Sequence, residues 1–161
     1  MNVFDIGCDD GYLLRKLSHI TNRQDGVDPR LNTGPISRSS ELKKGFFPSA
    51  IEVHQMQGSY DAVFALAVFE HFSQEDIQQS ASIISRMLSP KGRLIITVPH
   101  PLVDKILDVL MFLHLIDGQA PEEHHGFDPE SLLTYFSDSL RLVKRQTFQF
   151  GLNNAFVFEK I

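Results

Sequence analysis

Short apolar runs alternate with segments of helical periodicity along most of this chain, and that alternation constrains its fold more than any other feature. Residues 3–6 and 26–29 predict two short strands, and Pro29 prevents the second from continuing. Between them, apolar residues recur at helical spacing: Leu13, Leu14, Leu17 and Ile20. Strands joined by helices run parallel, because each helix returns the chain to the starting edge of the sheet.

The middle of the chain repeats this pattern. Residues 60–66 form a nearly continuous apolar run, which predicts a strand buried on both faces. Ser73 predicts the N-cap of the helix that follows. The apolar face of that helix is expected to consist of Ile77, Ala81, Ile84 and Leu88. Residues 89–92 then predict a turn, and residues 93–98 predict a β-branched strand that Pro99 stops.

The signals between the second strand and the middle of the chain are weaker. Residues 30–40 are polar and contain Gly34 and Pro35, so they predict a loop. Residues 46–47, both phenylalanine, predict a brief third strand that Pro48 closes.

The last third of the chain predicts two helices and a hairpin. Residues 102–116 are apolar but interrupted by charges, which favours a buried helix over a membrane span. Residues 128–130 predict a helix start with proline at its first position. The buried side of that helix is expected to contain Leu132, Leu133 and Phe136. Residues 140–150 and 155–161 predict an antiparallel hairpin.

This order of elements predicts an α/β fold, a Rossmann-like three-layer sandwich. Its sheet is expected to be mainly parallel, with seven strands or a shortened set and an antiparallel strand in the C-terminal hairpin. Ligands of such sheets bind outside the carboxyl ends of the strands. The residues that directly follow each strand are therefore the candidates for a site.

Composition narrows the classes of function. The net charge is -5 and no long run of Lys or Arg is present, which argues against a nucleic-acid partner. Cys8 is the single cysteine, so no disulfide forms within the chain. With no secretory signal in the opening residues, a cytoplasmic location is expected. Oligomeric state is left open, and a homodimer is compatible with the sequence.

A glycine-containing turn joins the first strand to the first helix. Its sequence over residues 5–11 is Asp-Ile-Gly-Cys-Asp-Asp-Gly. Glycine lets the backbone approach a ligand closely, and the helix start offers unpaired N–H groups. Asp28 is at the end of the next strand, where a carboxylate can accept hydrogen bonds from both hydroxyls of a ribose. Together these features predict a nucleoside-binding site.

Residues 5–11 resemble the first signature of class I S-adenosylmethionine-dependent methyltransferases, and residues 26–29 resemble their second. Residues 60–71 are similar to the strand-four block of that family, and residues 88–94 to the turn into strand five. The resemblance spans nearly the whole chain. Within the superfamily it is greatest to small-molecule methyltransferases, among them enzymes of quinone biosynthesis.

The resemblance implies a cofactor, S-adenosylmethionine, which leaves as S-adenosylhomocysteine, and a set of residues that bind it. By this resemblance Asp5 orders the glycine loop and Asp28 holds the ribose. The implied cofactor-binding residues are Asp5, Gly7, Cys8, Asp9, Gly11, Asp28, Pro29, Phe46, Ala65 and Leu66. The implied activity is methyl transfer to a small molecule whose identity the sequence does not give.

Two departures from the family pattern concern the start of the chain. Asp9 stands where the middle glycine of the first signature is usual. The chain is also expected to be a single domain over residues 1–161 that lacks the helix usual before strand one. Both departures motivate one alternative, a catalytically inactive binding module. Another alternative is a nicotinamide-dependent oxidoreductase, which the glycine spacing disfavours because Gly7 and Gly11 do not form a Gly-x-Gly-x-x-Gly turn.

Histidines are the candidates for a general base, because their pKa lies near neutral pH. His71 follows the strand-four block, His100 follows strand five, and His125 lies in a polar stretch. These three are the catalytic candidates. Some relatives ligate a cation after strand four, but Ala67 occupies the first ligand position here, so no metal site is predicted.

Overall fold

The computed structural model describes residues 1–52, 54, 56–100, 103 and 127–161. The strands among them are β1 (Asn2–Ile6), β2 (Arg23–Asp28), β3 (Ser40–Lys44), β4 (Tyr60–Leu66), β5 (Leu88–Pro99), β6 (Leu140–Phe148) and β7 (Asn153–Lys160). The helices among them are α1 (Tyr12–Leu17), α2 (Gln74–Met87) and α3 (Ser131–Phe136), and a 3₁₀ turn covers Phe69–His71. The predicted helix over residues 102–116 falls largely outside the described residues.

The seven strands pair into one sheet with the order β3-β2-β1-β4-β5-β7-β6. Neighbouring strands from β3 to β5 are parallel, whereas β7 runs antiparallel to both β5 and β6. The predicted α/β fold with an antiparallel strand in a C-terminal hairpin is therefore confirmed. Strand order reverses direction between β1 and β4, and a ligand site is expected at that point.

Two hydrophobic clusters pack on the sheet. The larger cluster includes Phe4 and Ile6 of β1 together with the buried residues of α2 and α3. The smaller cluster contains Val3 of β1 and Leu14 of α1. Because side chains alternate along a strand, adjacent residues of β1 enter opposite clusters, and the molecule has helices on both sides of the sheet.

The start of α2 follows the sequence prediction. Ser73 is its N-cap, and the Ser73 hydroxyl accepts a hydrogen bond from the Asp76 backbone N–H at 3.1 Å. Ile77, Ala81 and Ile84 are buried on its inner face. The prediction for Leu88 is wrong, because that residue is fully buried as the first residue of β5.

The third strand lies earlier than predicted. It covers Ser40–Lys44 instead of residues 46–47, and none of its five residues is buried. As an edge strand it pairs on one side only, with β2, and needs no apolar residues to do so. Because the sequence of β3 is polar, the apolar pattern does not indicate a strand at these residues.

Other element boundaries also differ from the prediction. The helix α1 ends at Leu17, and Ile20 is 59% exposed instead of lying on its buried face. The turn predicted over residues 89–92 lies inside β5 as a bulge, where Lys91 has a left-handed φ of 62°. The predicted helix start at residues 128–130 is a turn, and α3 begins at Ser131.

Candidate active site

A cavity of about 1100 Å³ opens at the carboxyl ends of β1, β2 and β4. Among the residues predicted to bind a cofactor, five line it: Gly7, Asp28, Pro29, Phe46 and Leu66. The catalytic candidate His71 lines it as well. The structure thus brings together residues that are far apart in sequence, at the edge of the sheet where the topology predicts a site.

Gly7 forms the floor of the cavity where β1 ends. Its φ is +75°, a region that favours glycine, and a Cβ atom here would lie 2.5 Å from Cγ2 of Val68. The backbone N–H groups of Gly7 and Cys8 both donate to the Val27 carbonyl, at 2.8 and 3.2 Å. These bonds tie the glycine turn to the end of β2, next to Asp28.

Asp28 presents a buried carboxylate at the cavity, with only 4% of the residue exposed. Backbone N–H groups donate to both of its oxygens, from Asp9 to Oδ2 at 3.0 Å and from Arg30 to Oδ1 at 2.7 Å. Asp28 forms no salt bridge within the described parts of the chain. The hydrogen-bond partners of its carboxylate in these parts of the chain are therefore backbone N–H groups.

Asp9 does not lie at the cavity, although its place in the first signature suggests that it would. The residue is exposed, has a left-handed φ of 47°, and is not among the residues that line the cavity. Its contribution at the site is the backbone N–H that orients Asp28. The side chain that replaces the usual glycine thus faces outward.

Asp5 is a second buried carboxyl close to the site, with 4% exposure. Burial, and to a smaller extent the negative charge of Asp28, raise the pKa of Asp5 to about 7. At neutral pH Asp5 is therefore partly protonated, and Asp5 and Asp28 together carry fewer than two negative charges on average.

Cys8 is part of the turn, and its side chain is buried in the smaller cluster. It packs against Gly26, where a Cβ atom would lie 2.9 Å from the Cys8 sulfur. Burial, followed by the charges of Asp5 and Asp28, raises the pKa of the Cys8 thiol to about 12. The thiol is neutral and is not positioned as a nucleophile. Cys8, like Gly11 and Ala65, is not among the residues that line the cavity.

The histidine candidates differ in their position relative to the cavity. His71 ends the 3₁₀ turn after β4 and lines the cavity. His100 follows β5 and is held to the hairpin by a hydrogen bond from its backbone N–H to the Leu152 carbonyl at 2.8 Å. His125 lies outside the described residues. Within the described parts of the chain, no cluster of three His, Cys, Asp or Glu residues could hold a metal ion.

Sequence reasoning missed one wall of the cavity. Three residues of α2 face it, Asp76, Gln79 and Ile83, and residues 47–49 and 51 face it from the connection after β3. The spacing of the three α2 residues, i, i+3 and i+7, places them on one helix face and was the signal available in the sequence.

A family model described as a methyltransferase domain matches residues 1–139. The chain belongs to this methyltransferase family. The predicted resemblance to class I S-adenosylmethionine-dependent methyltransferases, the methyl donor included, is thereby confirmed at the level of the family. Neither the binding module nor the oxidoreductase is favoured by these similarities.

A curated relative of this chain is the ubiquinone biosynthesis O-methyltransferase of Rickettsia bellii (strain OSU 85-389). It is 24% identical over 134 residues, which cover 79% of this chain and 54% of the relative. The chain thus spans about half the length of the curated relatives it matches.

Solved structures share the fold at low sequence identity. A SAM-dependent methyltransferase from Archaeoglobus fulgidus has a TM-score of 0.70 and 16% identity, with 99% of this chain and 86% of that chain covered. The N-methyltransferase NodS from Bradyrhizobium japonicum WM9, in complex with S-adenosylhomocysteine, has a TM-score of 0.61 and 15% identity, with 99% and 77% covered. Within the described residues, no helix is long and apolar enough to span a membrane.

Proposed function

We propose that this methyltransferase binds S-adenosylmethionine in the cavity at the carboxyl edge of the sheet and transfers its methyl group to a small-molecule acceptor. The observation that carries the proposal is Asp28. A buried carboxylate without a counter-ion among the described residues stands beside Gly7, where the backbone can approach a ligand closely.

The residues at the cavity fit the parts of this cofactor. A carboxylate offers about four acceptor positions, and Asp28 uses two of them for backbone N–H groups, so positions remain for the ribose hydroxyls. Phe46 is 69% exposed at the cavity and offers an aromatic face to the adenine. The negative charge of Asp28 favours a cationic ligand.

When bound, the cofactor supplies a methyl group that positively charged sulfur already activates. The protein's own contribution is to orient the acceptor and to exclude water. His71 is the histidine candidate at the cavity, and there it can hold the proton that an acceptor hydroxyl or amine releases. His100 and His125 stay predictions as catalytic residues.

For the acceptor we infer a small molecule. Two observations support this inference: the net charge of -5, which disfavours a nucleic acid, and the similarity to an enzyme named for ubiquinone biosynthesis. The single domain, the cytoplasmic location and a homodimer stay predictions.

Calorimetric titration with S-adenosylmethionine, S-adenosylhomocysteine and NADH tests the cofactor. We expect the first two to bind and NADH not to bind. Gly7→Ala is expected to abolish that binding, because its Cβ would push into the cavity against Val68. Gly58→Ala is a matched control, since Gly58 also has a left-handed φ, of +63°, but nothing lies within 4 Å of a Cβ there.

If the wild type binds neither S-adenosylmethionine nor S-adenosylhomocysteine, the proposal is refuted. Methyl transfer itself is then tested with isotopically labelled S-adenosylmethionine and a panel of phenols and amines. If His71 is the base, His71→Gln lowers kcat by about 100-fold or more at unchanged S-adenosylhomocysteine affinity.

A further inference from the structure

Two buried carboxyl groups lie close to each other at the ends of β1 and β2, and we call Asp5 and Asp28 the carboxyl pair. Each of these residues is 4% exposed. Asp28 lines the cavity, and Asp5 directly precedes Ile6 and Gly7, which line it as well. Neither member of the pair forms an ion pair within the described parts of the chain.

The neighbours of Asp5 in the sheet and in the turn bring no positive charge. Asp28 acts on it from β2, and the turn after β1 contributes the Cys8 thiol and the carboxylate of Asp9. The neighbour of Asp5 in β4 is Phe64. These groups are either acidic or uncharged, so they do not offset a negative charge on Asp5.

The basic residues of the adjoining elements do not balance the pair either. On α1, Arg15 pairs with Asp10 at 2.8 Å, and Lys16 Nζ lies 5.4 Å from the centre of the Tyr12 ring. Arg30 lines the cavity but forms no ion pair within the described residues. A ligand is therefore the source from which the carboxyl pair can gain a compensating positive charge.

The donor and the product of the proposed reaction differ in the charge that they bring to the site. The sulfur of S-adenosylmethionine is a sulfonium, whereas the sulfur of S-adenosylhomocysteine is neutral. Two neighbouring carboxyl groups do not both ionise readily, and burial opposes ionisation further. A bound cation favours the doubly ionised pair, and a ligand without the sulfonium favours it less.

Building on the proposed function, we infer that Asp5 is a specificity-determining residue, which distinguishes the methyl donor from the product by charge and does so more strongly as the pH rises. While Asp5 is protonated, the carboxyl pair offers one negative charge to either ligand. Once Asp5 is ionised, the pair offers two, and the ligand that carries the sulfonium gains more from the second. Contact with Asp5 is not required, because charges in a partly buried site act over several ångströms.

The inference has a consequence for turnover. Methyl transfer breaks the bond between the methyl carbon and sulfur, and the electron pair of that bond stays on sulfur, so the positive charge leaves the cofactor. The attraction of the carboxyl pair for the bound molecule is then reduced. Asp5 in its ionised form thus favours exchange of the product for a new donor.

Calorimetric titration with S-adenosylmethionine and S-adenosylhomocysteine at pH 6 and pH 8 tests the inference, because the pKa of Asp5, about 7, lies between these values. In the wild type, the affinity for the donor divided by that for the product is expected to increase about fivefold from pH 6 to pH 8. Asp5→Asn cannot ionise and is expected to lose this increase. Asp10→Asn is the matched control, because Asp10 is an exposed acid of the same turn that does not line the cavity, and it is expected to keep the increase.

The amine of the ligand titrates in the same way in all three experiments, so the comparison between the proteins isolates Asp5. Proton release by the wild type decides the matter if Asp5→Asn does not fold. In buffers of different ionisation enthalpy at pH 6.5, binding of S-adenosylmethionine is expected to release about half a proton more than binding of S-adenosylhomocysteine.

An increase that the wild type and Asp10→Asn show and Asp5→Asn lacks supports the inference, as does the expected difference in proton release. The inference is overturned, while the proposed function stands, if the wild type binds both ligands with the same affinity ratio at pH 6 and pH 8, if folded Asp5→Asn keeps the increase, or if both ligands release protons equally. Failure of the wild type to bind either ligand refutes the proposed function and, with it, this inference.

Discussion

Asp25 and Asp28 lie three positions apart on β2, and both are buried, yet their surroundings differ. Asp25 is 1% exposed and accepts from the Tyr60 hydroxyl at 2.6 Å and from the Glu41 backbone N–H at 2.7 Å. Arg23 Nε lies 2.5 Å from its Oδ2. Asp28 is 4% exposed, accepts from backbone N–H groups only, and faces the cavity.

The difference separates a structural carboxylate from one available to a ligand. The charge of Asp25 is balanced within the protein by Arg23, whose guanidinium also lies 5.8 Å from the centre of the Tyr60 ring. The charge of Asp28 is not balanced by a side-chain cation in the described parts of the chain, and the neighbouring Asp5 adds repulsion. A buried charge of this second kind is costly unless a ligand compensates it.

Removing the structural carboxylate should have the largest effect. Asp25→Ala leaves Arg23 and the buried Tyr60 hydroxyl without their partner, and we expect a loss of about 3 kcal/mol in the free energy of unfolding. Urea denaturation measures it. Asp138→Ala, at an exposed carboxylate, is the control and is expected to change stability by less than about 0.5 kcal/mol. Equal effects of the two substitutions would remove the distinction between Asp25 and a surface acid.

The pH dependence of stability tests the carboxyl pair at the site. The pKa of Asp5 rises from 3.8 to about 7 on folding, so the folded protein binds the proton more tightly than the unfolded chain does. The contribution of Asp5 to stability is therefore full below pH 3.8 and is lost as the pH rises toward 7. Asp5→Asn cannot ionise, and its stability relative to wild type should increase by about 2.5 kcal/mol between pH 5 and pH 8.

Urea denaturation of both proteins across that pH range measures the difference. If the stability of the variant and of the wild type changes with pH in the same way, the pKa of Asp5 does not change on folding.

Asp28→Asn should separate binding from stability. The affinity for S-adenosylhomocysteine is expected to fall about 30-fold, or ~2 kcal/mol, because a charged acceptor of the ribose hydroxyls is lost. Stability is expected to change by no more than about 1 kcal/mol, because the amide nitrogen cannot accept one of the two backbone N–H bonds, whereas the repulsion with Asp5 is relieved. Calorimetry and urea denaturation on the same sample give both values. If the variant loses stability but keeps its affinity for S-adenosylhomocysteine, Asp28 is a structural residue like Asp25.

Tyr60→Phe should have the smallest effect. It removes one hydrogen bond to Asp25 while Arg23 continues to balance the charge, so a loss of about 1 kcal/mol in stability is expected. The affinity for S-adenosylhomocysteine should not change. Thermal unfolding with and without the ligand checks both expectations, and a drop in affinity would link the two carboxylates that the structure keeps apart.

Elements with strong local patterns were predictable. β1, β4 and α2 combine apolar periodicity with clear ends, and Ser73 caps α2 as its sequence position indicates. β3 was misplaced because an edge strand with a polar sequence carries no such pattern. The sequence of residues 89–92 predicts a turn, but backbone pairing with β4 continues on both sides of Lys91, so the structure has a bulge there.

The site was predictable to the extent that it follows strand ends. Gly7, Asp28 and Phe46 reach the cavity because parallel strands bring their carboxyl ends to one edge. Gln79 and Ile83 were missed because their side of α2 faces a connection, and the path of a connection is not encoded by periodicity.

The sequence by itself determined which kinds of residue stand at the ends of the strands, and therefore where a ligand can bind and to which family the chain belongs. Only the tertiary structure decided which of the two β2 carboxylates is neutralised and which faces the cavity. The physical reason is that Arg23 lies on the same strand as Asp25, but its other partners come from two other strands, the Tyr60 hydroxyl from β4 and the Glu41 backbone N–H from β3. A charge in a protein interior is balanced by neighbours in space, and folding alone brings those neighbours together.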